Sequence, residues 1–242
     1  MATTDAARID LARRALDEAH RAAGLVRKPV DPRERLVSTG ITSLDEALGG
    51  GLARGSLYTL AGEPGSGRAS LALEWLSRAS LSAREPVAFI DGADALDPDS
   101  VPEILRPRML WVRARSALEA LACGEQVLDA GGFAMVCLYL VGAAGARPSS
   151  GERLVGPGHW TRVAQRAEAA KTLALAVCDA DDPRAPGSLA RASIVAERAE
   201  PHWDRGSVLD GMDVSVSLAR NRRGALVTHA QAQAQRVALR VA

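Results

Sequence analysis

Short apolar runs alternate with amphipathic stretches along most of the chain. The runs predict strands at residues 57–61, 86–91, 109–114, 133–141, 172–178, 193–199 and 213–219. Between the early runs, apolar residues recur at helical spacing in residues 70–82 and 116–130, which predicts helices with a core-facing side. This alternation favours an α/β fold, in which a mainly parallel twisted sheet carries helices on both faces and the crossovers are right-handed.

Two further segments flank the alternating part. Residues 4–23 predict an amphipathic helix with Ile9 and Leu16 on its apolar stripe, followed by a proline-containing linker. Near the other end, Val237 and Leu239 belong to an alternating pattern that fits either a helix or a short strand added to a partner. We therefore divide the chain into an N-terminal helix and linker (1–35), a core (36–224) and a C-terminal tail (225–242).

The composition excludes several classes of protein. Of 242 residues, 47% are hydrophobic, enough for one ordinary core, and 30 basic against 29 acidic residues leave a net charge of +1. No overall field therefore draws the chain to nucleic acid. Its apolar runs are shorter than the ~20 residues that span a bilayer, and its three scattered cysteines show neither metal-ligand nor disulfide spacing. We expect a cytoplasmic protein without a metal or a membrane segment.

Residues 62–69 have the frame of a phosphate-binding P-loop, placed between an apolar run and an amphipathic stretch. In the working motif, glycine-rich backbone N–H groups hold phosphate, a lysine reaches the terminal phosphates, and a hydroxyl helps to bind Mg²⁺. Here Arg68 stands at the lysine position and Ala69 at the hydroxyl position. Arginine keeps the charge, but its planar fork does not replace a compact ammonium. The sequence therefore predicts a degenerate nucleotide site.

Two alternatives bear on this loop. Ser70, the nearest hydroxyl, is rotated by roughly 100° from Ala69 on a helix, so we expect it not to replace the missing metal ligand. An ordinary glycine-rich turn would show the same string, but the flanking strand and helix favour a P-loop. The degenerate nucleotide-binding loop comprises Gly62, Gly65, Gly67, Arg68, Ala69 and Ser70.

Several short strings, taken in order, resemble RecA-type recombinases. They are Gly40-Ile41, Leu44-Asp45, Leu48-Gly49-Gly50-Gly51-Leu52, Gly55, the P-loop frame, Ala88-Phe89-Ile90-Asp91, Ala95-Leu96-Asp97-Pro98 and Arg220-Asn221-Arg222. The matches span residues 36–224 and imply a RecA-like P-loop core. In such a core, ligands lie at the carboxyl ends of the strands.

The same resemblance locates positions at which the machinery for ATP hydrolysis is lost. RecA-like ATPases carry a water-orienting glutamate two residues after the position of Asp91, where this chain has Ala93. Their Walker B aspartate corresponds to Tyr139, and their phosphate-sensing glutamine to the region of Asp179. Loss of one such group commonly costs ~10²-fold in rate. We therefore expect no catalytic residues and no cofactor, although weak nucleotide binding through backbone amides and Arg68 stays open.

A rival alignment makes residues 175–179 the Walker B strand, with Asp179 as its carboxylate. It would leave two βα units between the P-loop and Walker B, and it would break the spacing to the match at residues 95–98. Ala69 and Ala93 would remain in either alignment. We prefer the first alignment.

The segments that contact DNA in RecA have little basic character here. They correspond to residues 142–158, with Arg147 and Arg153, and to residues 180–187, which offer only Arg184 beside two aspartates. Phosphate contacts need such basic side chains. We expect direct DNA binding to be weak or absent, the second segment to be a solvated connection, and Trp160 to serve packing rather than base stacking.

A RecA-like core with a degenerate site, an added helix and a divergent tail resembles the ImuA family, accessory proteins of error-prone translesion synthesis in the bacterial SOS response. The resemblance implies a non-catalytic role in DNA-damage-induced mutagenesis. It also implies contacts with an ImuB-like, polymerase-related partner and with RecA, and association with the nucleoid through them. The alternatives are a regulator that caps RecA filaments, and a divergent ATP-dependent DNA-binding protein of recombinase type whose nucleotide site is atypical but live.

Candidate partner contacts lie at both ends of the chain. The stripe of Ile9 and Leu16 is expected to mediate self-association or contact with RecA, with packing on its own core as the alternative. Val237 and Leu239 are expected to dock on the ImuB-like partner. Arg220 and Arg222 would serve an acidic partner surface or be solvated, and we prefer the solvated state.

Overall fold

The computed structural model describes residues 35–142, 155–204, 208–221 and 231–237. The strands in these ranges are β1 Leu36–Val37, β2 Leu52–Ala53, β3 Leu57–Gly62, β4 Val87–Asp91, β5 Met109–Arg113, β6 Met135–Tyr139, β7 Leu173–Cys178, β8 Ala192–Asp204, β9 Val208–Asn221 and β10 Gln231–Val237. The α-helices are α1 Thr42–Leu48, α2 Arg68–Ala83, α3 Ala117–Ala130 and α4 Pro157–Ala170. Short 3₁₀ helices occupy Pro98–Ser100, Arg106–Arg108 and Gly187–Leu189.

Eight strands form the main sheet in the order β10-β9-β8-β3-β7-β6-β4-β5. The six strands from β8 to β5 in that order run parallel, whereas β9 is antiparallel to β8 and β10 is antiparallel to β9. The strands β1 and β2 form a separate antiparallel pair. The predicted α/β fold with a mainly parallel sheet is therefore confirmed.

Hydrophobic cores lie on both faces of the sheet. One contains α2 side chains such as Trp75 and Leu76, and the other contains α3 and α4 side chains such as Leu121 and Trp160. Trp75 is fully buried, and its indole N–H donates to the carbonyl oxygen of Thr39 at 3.1 Å. Burial of one such large side chain contributes about 2 kcal/mol or more. These two layers hold the strand ends, and hence the P-loop, in place.

The C-terminal part of the sheet extends further than the sequence predicts. Strands β8 and β9 have 13 and 14 residues, where the pattern indicated residues 193–199 and 213–219. Beyond Ala196 the two strands pair with each other and no longer with β3, so they need no continuous apolar face there. In the predicted tail, Gln231–Val237 forms β10, which pairs with β9 of the same chain, whereas the rest of the alternating pattern, beyond Val237, lies outside the described residues.

Several predicted features lie outside the described residues. They are the helix at 4–23 with Ile9 and Leu16, the two arginines Arg147 and Arg153, and the positions Arg222 and Leu239. Among the described helices, none combines the length and apolarity needed to cross a membrane.

Candidate functional site

The P-loop has the strand–loop–helix geometry that its sequence predicts. Strand β3 ends at Gly62, and α2 begins at Arg68 after Gly67, whose φ of 82° is left-handed. Within the loop, the N–H of Ser66 donates to the carbonyl oxygen of Glu63 at 3.1 Å. The first turn of α2 has no side-chain cap, so its leading N–H groups keep the polarity that favours an anion. The frame for phosphate is thus present.

Close packing requires glycine at the first position of the loop. A Cβ atom on Gly62 would lie 2.4 Å from the hydroxyl oxygen of Ser66 and 2.7 Å from the carbonyl oxygen of Ala196. Both distances are far shorter than a normal contact. The loop therefore folds tightly over the ends of β3 and β8.

The side chain of Arg68 turns toward the carboxyl ends of β3 and β7. Its guanidinium donates to the carbonyl oxygen of Gly62 and, at 3.1 Å, to that of Cys178. It also forms an ion pair with Asp179 at 2.7 Å, and Arg68 is only 6% exposed. The charge that remains at the lysine position is therefore satisfied within the protein.

Asp179 connects this arginine to a third segment. One of its carboxylate oxygens pairs with Arg68, and the other accepts a hydrogen bond from the N–H of Gly142 at 3.0 Å. Sequence analysis assigned Asp179 as a lost position, or in the rival alignment as a Walker B carboxylate, and in both cases missed its pairing with Arg68. A signal was available, because an arginine at the start of α2 lies beside the carboxyl ends of the neighbouring parallel strands.

No carboxylate ends β6 at the position expected for Walker B. Tyr139 is 7% exposed there, and its ring centroid lies 5.3 Å from that of Phe89. Burial raises the pKa of the Tyr139 phenol, and the nearby Arg68 guanidinium opposes this shift. Burial likewise raises the pKa of the Cys178 thiol to about 12. Both groups stay protonated and neutral at pH 7, so neither supplies an anionic metal ligand.

Asp91 has a structural role that sequence analysis did not foresee. It is fully buried at the end of β4, and its carboxylate accepts hydrogen bonds from the backbone N–H groups of Ala93, Ala95 and Leu96 at 3.0–3.2 Å. Ala93 packs partly against the core. The carboxylate at this strand end therefore fixes the following loop, and Ala93 has no side chain that could orient water.

The remaining positions of the loop are at least partly accessible to solvent but offer few groups that could bind a metal ion or a phosphate. Ala69 is exposed and Ser70 is half-buried in the first turn of α2. Among the described residues, no group of three or more His, Cys, Asp or Glu side chains is placed to hold a metal ion. The structure thus brings together all six residues of the degenerate loop, with Tyr139 and Asp179 beside them.

Arg220 and the connection after β7 both make contacts within the protein that the sequence did not predict. Arg220 is half-buried and donates to the carbonyl oxygens of Gly187 and, at 3.3 Å, Ala190, so it is not simply solvated. These carbonyls lie in the connection that precedes β8, which gives the guanidinium partners that water would otherwise supply.

The connection after β7 is also held more firmly than a solvated segment. Asp182 is 7% exposed and pairs with Arg184 at 2.8 Å. The indole N–H of Trp160 donates to the carbonyl oxygen of Arg184 at 2.6 Å, which confirms the expected packing role of this tryptophan. Around these residues lies a cavity of about 200 Å³ lined partly by Pro157, Pro183 and Leu189.

Comparison with known proteins shows partial similarity to one family model and to several curated relatives. A family model described as an ATPase, KaiC, matches residues 37–95, which include the P-loop and Asp91. RecA of Synechocystis sp. is 42% identical over 66 residues, which cover 27% of this chain and 18% of the relative. The DNA repair protein RadA of Pseudomonas aeruginosa is 38% identical over 58 residues, or 24% of this chain and 12% of the relative.

A longer match covers about half of the chain. RecA of Kineococcus radiotolerans is 31% identical over 121 residues, which cover 49% of this chain and 33% of the relative. The chain thus spans a third or less of the length of these relatives. Together with the sheet order, the matches support a RecA-like P-loop core.

Proposed function

We propose that this chain is a non-catalytic RecA-like accessory protein of the bacterial DNA-damage response. It acts through protein contacts in an ImuA-type complex for error-prone translesion synthesis. The observation that carries the proposal is the burial of Arg68 in an ion pair with Asp179, 2.7 Å away, at the position where a P-loop lysine would meet phosphate. A residue committed to the protein interior does not serve a nucleotide.

The chemistry around Arg68 supports the absence of turnover. Phosphoryl transfer depends on positioned charge from a lysine, Mg²⁺ and a group that orients water. The corresponding positions here hold a paired arginine, the methyl group of Ala69, the neutral phenol of Tyr139 and the methyl group of Ala93. Each loss alone would lower the rate of hydrolysis by ~10²-fold. Even though such effects are less than additive, several losses together still remove useful hydrolysis.

The relatives support the DNA-repair context of the proposal. Proteins similar to parts of this chain include RecA and RadA, and RadA is described as a DNA repair protein. We propose that a chain with their core but without their chemistry has kept the contacts between proteins. Its partners are then an ImuB-like, polymerase-related protein and RecA, with self-association through the Ile9 and Leu16 stripe. It is cytoplasmic and reaches the nucleoid through these partners.

Exposed apolar side chains on the core agree with a role in protein contacts. Ile104, Leu110 and Trp203 are 54%, 43% and 58% exposed. Leu110 lies on β5, the last strand at one edge of the sheet, and Trp203 lies near the end of the β8–β9 hairpin. Aromatic and large apolar residues are enriched at the centres of protein interfaces.

The test is a calorimetric titration of the purified chain with ATP and Mg²⁺, with phosphate release measured on the same sample with and without single-stranded DNA. A working RecA assayed in parallel shows that the conditions support hydrolysis. We expect no phosphate release above the protein-free background. Mg²⁺-dependent binding with turnover would overturn the proposal and favour the atypical live ATPase.

The partner assignment needs its own experiment. Full-length chain and the ImuB-like protein of the same genome are co-expressed, and the complex is isolated through a tag on either partner. We expect a stable complex that the Ile9→Asp/Leu16→Asp variant keeps, because this stripe is assigned to self-association or RecA. Failure to recover the ImuB-like protein in both tagging directions would refute this assignment.

A further inference from the structure

We propose that the Asp179 carboxylate is an internal anion of the P-loop, which occupies Arg68 and joins the loop to the segments after β6 and β7 without a nucleotide. This inference rests on the proposed function, in which no nucleotide binds. The Arg68–Asp179 pair would then explain how the P-loop and its neighbouring segments keep one conformation without a bound phosphate. In this role the ion pair of Asp179 with Arg68 is an autoinhibitory contact, because it excludes phosphate from the guanidinium.

The first step of the argument is the burial of the arginine. The side chain of Arg68 is 7% exposed and that of Asp179 is 20% exposed, so the pair is largely withdrawn from water. A buried guanidinium needs a full negative charge nearby, and carbonyl oxygens provide only partial charge. Among the described residues, Asp179 is the only carboxylate that pairs with Arg68. Removal of that carboxylate leaves a buried cation that requires another anion.

The second step is the connectivity of the pair. Arg68 is the first residue of α2, Asp179 directly follows β7, and Gly142 lies in the turn after β6. Through its two oxygens Asp179 holds the other two residues at 2.7 Å and 3.0 Å. Arg68 adds contacts to the carbonyls of Gly62 and Cys178. Three strand ends therefore meet at one ion pair.

The third step is competition. The N–H groups at the start of α2 favour an anion, and Arg68 is the cation adjacent to them in sequence. A phosphate that used both would have to displace Asp179 from the guanidinium and release the hydrogen bond to Gly142 as well. The carboxylate has the advantage, because it belongs to the same chain and gives up no translational or rotational freedom when it pairs with Arg68.

The experiment compares wild type with Asp179→Asn, which keeps the shape of the side chain and removes its charge. We expect Asp179→Asn to bind inorganic triphosphate about tenfold or more tightly than wild type, by calorimetry in the absence of Mg²⁺. Amide exchange at residues 140–142 and 179–187 should become about tenfold faster and return toward the wild-type rate when triphosphate is added. Potassium chloride at matched ionic strength should not have this effect.

Asp94→Asn is the matched control. It breaks the ion pair of Asp94 with Arg113, which has a similar distance of 2.6 Å but is more than half exposed. We expect wild-type triphosphate affinity and exchange rates for this variant. If Asp179→Asn fails to fold, Arg68→Met/Asp179→Asn removes both charges and should fold without any response to triphosphate.

The outcomes separate this inference from the proposed function. Unchanged exchange and no gain in triphosphate binding in folded Asp179→Asn would overturn the internal-anion role and leave the accessory function intact. Failure of both Asp179 variants to fold would also overturn it, since the charge would then not be the reason. ATP hydrolysis by wild type would instead overturn the proposed function.

Discussion

The N–H of Leu96 donates to the carboxylate of Asp91 at 3.0 Å, although Asp91 ends β4 and Leu96 lies five residues further along, in the β4–β5 connection. Two more N–H groups, from Ala93 and Ala95, converge on the same buried carboxylate. The loop that follows β4 is therefore organised around one side-chain carboxylate.

Asp91→Ala should destabilise the fold strongly. The substitution removes the acceptor of three backbone N–H groups that lie partly buried, and one such hydrogen bond contributes about 0.5–1.5 kcal/mol. We expect a loss of about 3 kcal/mol in the free energy of unfolding, measured by urea denaturation. Asp97→Ala is the control, because exposed Asp97 caps a short helix through one hydrogen bond to Asp99, and its removal should cost about 1 kcal/mol. Equal losses for the two variants would contradict the anchoring role.

Gly62→Ala should also be destabilising. The added methyl group meets Ser66 and Ala196 at distances below 3 Å, and overpacking of this kind costs about 1–3 kcal/mol. Gly158→Ala provides a control of opposite sign, because Gly158 lies in α4 with nothing closer than 4.0 Å and alanine favours helix by about 0.5–1 kcal/mol. Urea midpoints of both variants test the pair. A stable Gly62→Ala protein would mean that the loop does not pack tightly on β8.

Restoring the sequence of the P-loop should not restore hydrolysis. Arg68→Lys/Ala69→Thr recreates the lysine and the hydroxyl, yet Tyr139 and Ala93 still provide no carboxylate for metal or water. We expect phosphate release to stay at background, in a malachite green assay with Mg²⁺ and ATP. A further change of Ala93→Glu in the same variant tests the water-orienting position separately. Turnover in the double variant would show that the carboxylates are not limiting.

Stability should fall at alkaline pH. Burial raises the pKa of Cys178 from 9.0 to about 12, so the native thiol keeps its proton while the unfolded one loses it. The unfolded state then binds fewer protons, and stability present below pH 9 is lost as the pH rises toward 12. Each such group contributes a slope of up to ~1.4 kcal/mol per pH unit.

Urea denaturation between pH 8.5 and pH 10.5, roughly the lower part of that window, measures this slope. Cys178→Ala should show a shallower decline than wild type, whatever its stability at neutral pH. Burial also raises the pKa of Cys137 and of Tyr139, so part of the slope should remain. Identical slopes in both proteins would argue against the buried thiol.

The sequence predicted the parts of the fold that depend on local pattern. Strand starts at Leu57, Met109 and near Leu173 agree closely with the structure, because apolar runs in a parallel sheet are continuous and end at polar or glycine residues. The P-loop frame was equally visible, since its glycines are tied to a strand and a helix on either side.

The rest of the site depends on contacts between distant residues. Arg68 turns to Asp179, and Arg220 to Gly187, and neither partner follows from local spacing. The sequence pattern missed the extension of β8 and β9 for a different reason. Strands that pair with each other outside the parallel sheet lose the continuous apolar pattern. The residues that depart from known motifs could therefore be identified from the sequence. The residues that their side chains contact in the fold could not.

The β8–β9 hairpin forms a long arm beyond the last pairing of β8 with the parallel strands. Beyond Ala196, the last pairing of β8 with β3, the arm continues for eight residues to Asp204, a reach of roughly 25 Å at the usual rise of a strand. Trp203 lies near its end, and β3 at its base leads directly into the P-loop. Because Gly62 pairs with Ala196, a force applied near Trp203 would act on the P-loop through the paired backbone of β8 and β3.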